Sequence, residues 1–240
     1  MTALMYTCLG ISLVLAIIFI IVRVKKGGLL GVFVKTIASM GFVVSGILAL
    51  TLSTLTGKLE LGVALIVIGL IFGMLGDIIL DLKVVYNNDQ YYLNGGMLSF
   101  GLGHIAYIAG FCLMAITFNI PLLMPVLVSL GVAIAFTIGN TLSGKKMGLD
   151  FGKFFWQTMS YSILLTFMAC FTLILAIQSG IVAMWVAFAG FMLFLASDLV
   201  LSFQYFGGKL FNKTLIVVNH LLYYLAQITV VASLFALVVA

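Results

Sequence analysis

Eight apolar runs of about 19 to 25 residues fill most of the chain, and each is long enough to cross a hydrocarbon core of ~30 Å. They fall at Leu4–Val22, Val32–Leu52, Leu61–Leu82, Leu93–Phe118, Leu122–Leu142, Phe154–Ile177, Ile181–Phe203 and Leu215–Val239. The connections are short and punctuated by polar residues, Gly or Pro: Arg23–Gly28, Thr56–Lys58, Asn87–Asp89, Asn119–Pro121, Ser143–Lys146, Gln178–Gly180 and Gly207–Lys209. Pro121 and Pro125 stand at or near the start of the fifth run, where a missing N–H costs a helix little. Connections this short make neighbouring helices antiparallel. The expected architecture is an all-α membrane protein, a single bundle of eight transmembrane helices over residues 1–240, with no second domain.

Composition excludes the soluble alternative. Hydrophobic residues make up 65% of the chain and charged residues 7%, against about 25% charged in soluble domains. So few polar groups cannot cover a surface that faces water. The net charge of +5 is therefore an orientation signal, and no nucleic-acid partner is expected. Ten of the eleven basic residues flank the odd-numbered connections and only Lys58 flanks an even one. By the positive-inside rule both termini face away from the cytosol, in a multi-pass protein of the cell membrane. Cys8, Cys112 and Cys170 all lie inside apolar runs, which speaks against a disulfide framework. No basic residue precedes the first run and no small-residue cleavage site follows it, which speaks against a removed signal peptide.

A faint internal repeat would divide the bundle into two four-helix halves, 1–118 and 119–240. The third run holds Phe72-Gly73-Met74-Leu75-Gly76-Asp77 and the seventh Phe194-Leu195-Ala196-Ser197-Asp198. Each is followed by a run bearing a His and a Tyr, and Lys35 and Lys153 open the second and sixth alike.

Polar groups inside the runs need a reason, because an Asp in the hydrocarbon region costs about 2.5–3.5 kcal/mol on insertion scales. Asp77 and Asp198 each lie five residues before the cytosolic end of their runs, roughly 8 Å inside the edge at the helical rise. The fourth run brings His104 and Tyr107 from that side, and the eighth brings His220, Tyr223, Tyr224 and Gln227 along one stripe. Asn219 lies beside them, and Trp156, Gln157, Ser160 and Tyr161 open the sixth run at similar depth. These residues are expected to converge on one cavity in the cytosolic leaflet. Gly69, Gly73, Gly96, Gly103 and Gly110 read as close-packing seams, and Asp81 as solvated or paired with Lys83.

The residues resemble the YhhN family of eight-helix membrane proteins, whose characterised members are lysoplasmalogenases. One block is Gly76-Asp77 followed by Gly96, Phe100, Gly103-His104 and Tyr107. The other is Gly190, Phe194, Ser197-Asp198 and Phe206, followed by Tyr224 and Gln227. Lys35 resembles the family's lysine before the second helix, although Thr36 stands where Pro is usual and Leu93 where an aromatic is commoner.

The resemblance implies hydrolysis of the alkenyl ether of a lysoplasmalogen to a fatty aldehyde and a glycerophospho-ethanolamine or -choline. An enol ether has no carbonyl for a nucleophile. Acid opens it instead, by protonating the alkene carbon and leaving an oxocarbenium ion that water attacks. That chemistry needs one protonated and one ionised carboxyl, a division of labour that glycosidases also use. Desolvation and a neighbouring carboxylate both favour the neutral form of a carboxyl. Asp77 and Asp198 are the implied catalytic pair, with their two roles left open. His104, Tyr107, His220, Tyr224 and Gln227 would bind the glycerol or orient water. Lys35, or else Lys153 or Lys209, would meet the phosphate of the lysophospholipid at the cytosolic rim. No cofactor, metal or protein partner is implied beyond substrate and membrane lipid.

Two other classes compete. A proton-coupled transporter would also use intramembrane Asp and His, but the polar residues stop near mid-membrane. A metal hydrolase would draw on His104, His220 and the two Asp, without the close His spacing of zinc sites.

Overall fold

Every α-helix in the structure, a computed structural model describing residues 2–86 and 88–239, is long and apolar enough to span a membrane. The side chains of Thr2 and Asp89 are not among those described. Asn87 and the Asp89 side chain, assigned by the sequence to the third connection, thus lie outside the described residues. The helices are α1 (Thr2–Lys25), α2 (Gly28–Thr56), α3 (Glu60–Tyr86), α4 (Asp89–Thr117), α5 (Leu123–Lys146), α6 (Phe155–Ser179), α7 (Val182–Tyr205) and α8 (Lys213–Val239). A single 3-10 turn, Gly152–Phe154, precedes α6, and no strand occurs among the described residues. A multi-pass membrane protein follows, since inside lipid a helix satisfies its own backbone groups.

The helices outrun the apolar runs that announce them. Helix α3 continues to Tyr86 and α8 begins at Lys213. The last carbonyls and first N–H groups of a helix lack internal partners, so its ends extend to where water can serve them. At α4 the Asn88 side chain accepts the Tyr91 N–H at 3.4 Å. Between α1 and α2 the chain reverses over Gly27 and Gly28, with φ of 60° and 59°. This left-handed backbone suits glycine alone at little cost.

Seven helices close a ring. In order of contact they are α1, α2, α3, α4, α6, α7 and α8, which returns to α1 and also meets α2. Helix α5 packs against α6, outside that ring. The glycines of α3 and α4 form the expected seam: a Cβ on Gly110 would lie 2.8 Å from the Gly62 carbonyl oxygen, and one on Gly103 3.0 Å from that of Gly69. Large apolar side chains such as Leu55, Phe33 and Leu127 stand exposed on the outside, while Asp77, His104, Asn219 and Gln227 are buried. The arrangement is that of a protein solvated by hydrocarbon.

Candidate functional site

Asp77 and Asp81 are one helical turn apart on α3, and that spacing turns both carboxyl groups to the same face. Helix α2 brings Lys35 and Ser39 to meet them, again one turn apart. The Lys35 Nζ lies 3.2 Å from Asp77 Oδ1 and 3.5 Å from Asp81 Oδ1. Arg23, at the end of α1, reaches Asp81 Oδ1 at 3.4 Å. Ser39 donates its hydroxyl to Asp77 Oδ2 at 2.6 Å and lies 3.1 Å from the Tyr224 hydroxyl. Tyr224 in turn donates to the Lys35 carbonyl at 3.4 Å. The cluster holds two cations and two carboxylates and is formally neutral, as a buried set of charges must nearly be.

Two expectations change here. Asp81 is neither solvated nor paired with Lys83: it is 2% exposed and held by Arg23 and Lys35. Its depth suggested an interface, but its face, shared with Asp77, decides. Lys35 is buried too, and its ammonium turns inward to the carboxylates and away from the rim.

Asp198, on α7, has a different set of partners. The Tyr161 hydroxyl, from the first turns of α6, donates a hydrogen bond to its Oδ2. The ion pairs among the described residues join Arg23 to Asp81 and Lys35 to Asp77 and Asp81, and Asp198 enters none of them. Asp77, Asp81 and Asp198 all line a small cavity of about 30 Å³, together with Arg23, Lys35, His220 and Tyr223. Asp198 also lines a second cavity of about 280 Å³, where it is the one charged residue among the described lining groups.

The other sequence candidates form a wall behind this pair. Gln227 accepts from the Tyr107 hydroxyl and donates to that of Tyr223, each at 3.1 Å. Glycines on α3 leave room for this wall. A Cβ on Gly69 would overlap the Tyr107 ring, one on Gly73 would lie 2.9 Å from Gln227 Nε2, and one on Gly76 would lie 2.8 Å from the Phe100 ring. His220 donates from Nδ1 to the Ile216 carbonyl at 2.7 Å and packs edge-on against Phe19. His104 does the same with the Phe100 carbonyl at 2.8 Å. Its ring stands perpendicular to Tyr161 with centroids 5.6 Å apart, and its buried Nε2 has no partner among the described residues.

The structure thus gathers Asp77, Asp198, Lys35 and His220 around one small cavity and joins Tyr224 to Asp77 through Ser39. Tyr107 and Gln227 support it through Tyr223, and His104 stands behind Tyr161. Asn219 binds Ser197 on α7 at 2.9 Å, tying α8 to the helix that bears Asp198. Trp156, Gln157 and Ser160 are exposed, so only Tyr161 of that group reaches the site. Ser39 and Arg23 carried no signal of their own: the first looked like an ordinary helix serine, the second like a loop charge.

The sequence profile of the YhhN family matches residues 38–234, a stretch that includes Ser39, Asp77, Asp81, Asp198, Tyr224 and Gln227 and stops short of Arg23 and Lys35. No curated protein and no solved structure matches the chain.

Proposed function

The chain belongs to the YhhN family, and on that premise we propose that it is a membrane-embedded hydrolase of the alkenyl ether bond of lysoplasmalogen. The observation that carries the reading is the contrast between Asp77 and Asp198 on one cavity, whose third carboxyl group, Asp81, is taken up by Arg23 and Lys35. Asp77 accepts from an ammonium and a hydroxyl, the surroundings of an ionised carboxylate. Asp198 meets no cation among the described residues and has a phenol beside it.

Roles follow from that difference. Asp198 gives its proton to the alkene carbon remote from the ether oxygen. The adjoining carbon becomes an oxocarbenium ion, stabilised by the negative charge of Asp77. A volume of about 30 Å³ is enough to admit a water, which needs only ~10–15 Å³ of such space. That water adds to the cation and returns a proton to Asp198. The hemiacetal then collapses, its hydroxyl proton ending on the departing glycerol oxygen, to aldehyde and glycerophospho-alcohol. Lys35 holds Asp77 ionised, and Tyr161 orients Asp198. The same reading sets the site in the cytosolic leaflet of the cell membrane with both termini outside, in accord with the ten basic residues on the odd connections.

Hydrolysis in deuterated water tests the first step. The aldehyde, trapped as it forms, should carry one deuterium on the carbon next to the carbonyl. Aldehyde with no deuterium there would exclude protonation on carbon.

A further inference from the structure

The larger cavity is chemically unlike the catalytic one. Its walls include Met97, Phe100, Leu165 and Leu195, and they come from α3 to α7. Its volume of about 280 Å³ is well above the ~150 Å³ at which an apolar protein cavity stays dry and takes up benzene. Hydrocarbon, rather than water, is the occupant such walls favour. Met147, at the connection of α5 and α6, also lines the cavity and is exposed. Of the α6 residues that line it, Leu165 is the farthest from the start of the helix, one turn beyond Tyr161, and it is buried.

Continuity with the aspartate cavity decides what kind of hydrocarbon. Leu80, Phe100, Asp198, Leu201 and Tyr205 line both spaces. A molecule with an apolar chain in the large cavity would therefore carry its first polar atoms to Asp198. We infer that the large cavity is the site for the single aliphatic chain of the substrate, and that Leu165 limits the length of chain it accepts. The identity of that chain as an alkenyl ether rests on the function proposed above, but the chain site itself does not. Leu165 touches no reacting atom in this arrangement and acts on selectivity alone.

Photolabelling separates the two. Protein in nanodiscs would be irradiated with an ester lysophosphatidylcholine bearing a diazirine at the end of a palmitoyl-length chain, and the labelled peptides mapped by mass spectrometry. Label is expected on α4 and α6, at Met97, Met159 or Leu165. Leu165→Trp should lower it by about tenfold, as forcing bulk into a filled site does, while a probe with an octanoyl-length chain still labels. Leu165→Met, nearly equal in volume, should label like the wild type. Label confined to outward residues such as Leu127 and Trp185 would overturn the chain site, and the wild-type map alone decides this if Leu165→Trp fails to fold. Equal labelling of Leu165→Trp by both probes would overturn the role of Leu165. Cavity label without aldehyde release would refute the reaction and leave the chain site standing. Aldehyde release without cavity label would do the reverse.

Discussion

Replacing Lys35 by Met should expose the charge logic of the site. The cluster of Arg23, Lys35, Asp77 and Asp81 is formally neutral, and Met retains most of the apolar stem while deleting the ammonium. Removing one partner from a buried ion pair costs about 3–5 kcal/mol, because the other charge is left uncompensated. Packing changes little, so this term dominates. Two second substitutions restore neutrality, and the geometry predicts that they differ. In Lys35→Met/Asp77→Asn the pair of Arg23 with Asp81 at 3.4 Å survives and Ser39 keeps an acceptor, so about 2 kcal/mol or more should return, within the usual range of coupling energies. In Lys35→Met/Asp81→Asn both Asp77 and Arg23 lose their partners, and stability should stay at or below that of the single variant. Unfolding in mixed micelles with a rising fraction of sodium dodecyl sulfate, followed by tryptophan fluorescence, gives these differences. Equal rescue by the two double variants would mean that net charge alone matters and would refute the pairing. A Lys35→Met protein within about 1 kcal/mol of wild type would refute it as well, since that is far below the cost of an orphaned buried charge.

Gly69→Ala should cost about 1–3 kcal/mol by overpacking, because its Cβ would overlap the Tyr107 ring. Gly131→Ala, with nothing within 4 Å of its Cβ, should be neutral or gain up to ~1 kcal/mol; the same unfolding assay reads both, and equal losses would contradict the seam. Orientation can be checked with single cysteines at Ser179 and Lys146 in a protein cleared of Cys8, Cys112 and Cys170. An impermeant maleimide added to intact cells should label the first and spare the second, and the reverse pattern would invert the topology. His104→Gln should slow turnover less than either Asp→Asn change, since its ring backs Tyr161 at 5.6 Å without lining the small cavity; loss equal to that of Asp198→Asn would give His104 a direct part in the chemistry.

The helices were legible because hydropathy over some twenty residues records the bilayer directly. The buried polar residues were legible for the converse reason: Asp77, Asp198 and Gln227 stand out in apolar surroundings. Partner choice was harder to read. Ser39 resembles Thr36 and Ser45, whose hydroxyls bond the carbonyl one turn back on their own helix, and only the fold shows that it reaches across to Asp77. Arg23 counted as a topology marker because nothing in one dimension brings the end of α1 to α3. Depth alone places Asp81 near an interface, yet a shared face with Asp77 is a matter of helical phase. The place of α5 outside the ring is a packing outcome that hydropathy does not encode.

Release of aldehyde from a purified preparation is the decisive test of two-aspartate hydrolysis. The protein would receive a lysoplasmalogen and, separately, the ester lysophospholipid of matched headgroup and chain, with Asp77→Asn and Asp198→Asn in parallel. The account predicts aldehyde from the alkenyl ether, no cleavage of the ester, and a loss beyond the ~10²–10⁴-fold of a single acid–base group in each variant, because the pair acts as a unit. Equal cleavage of ester and ether, or near-wild-type turnover in both variants, would contradict it.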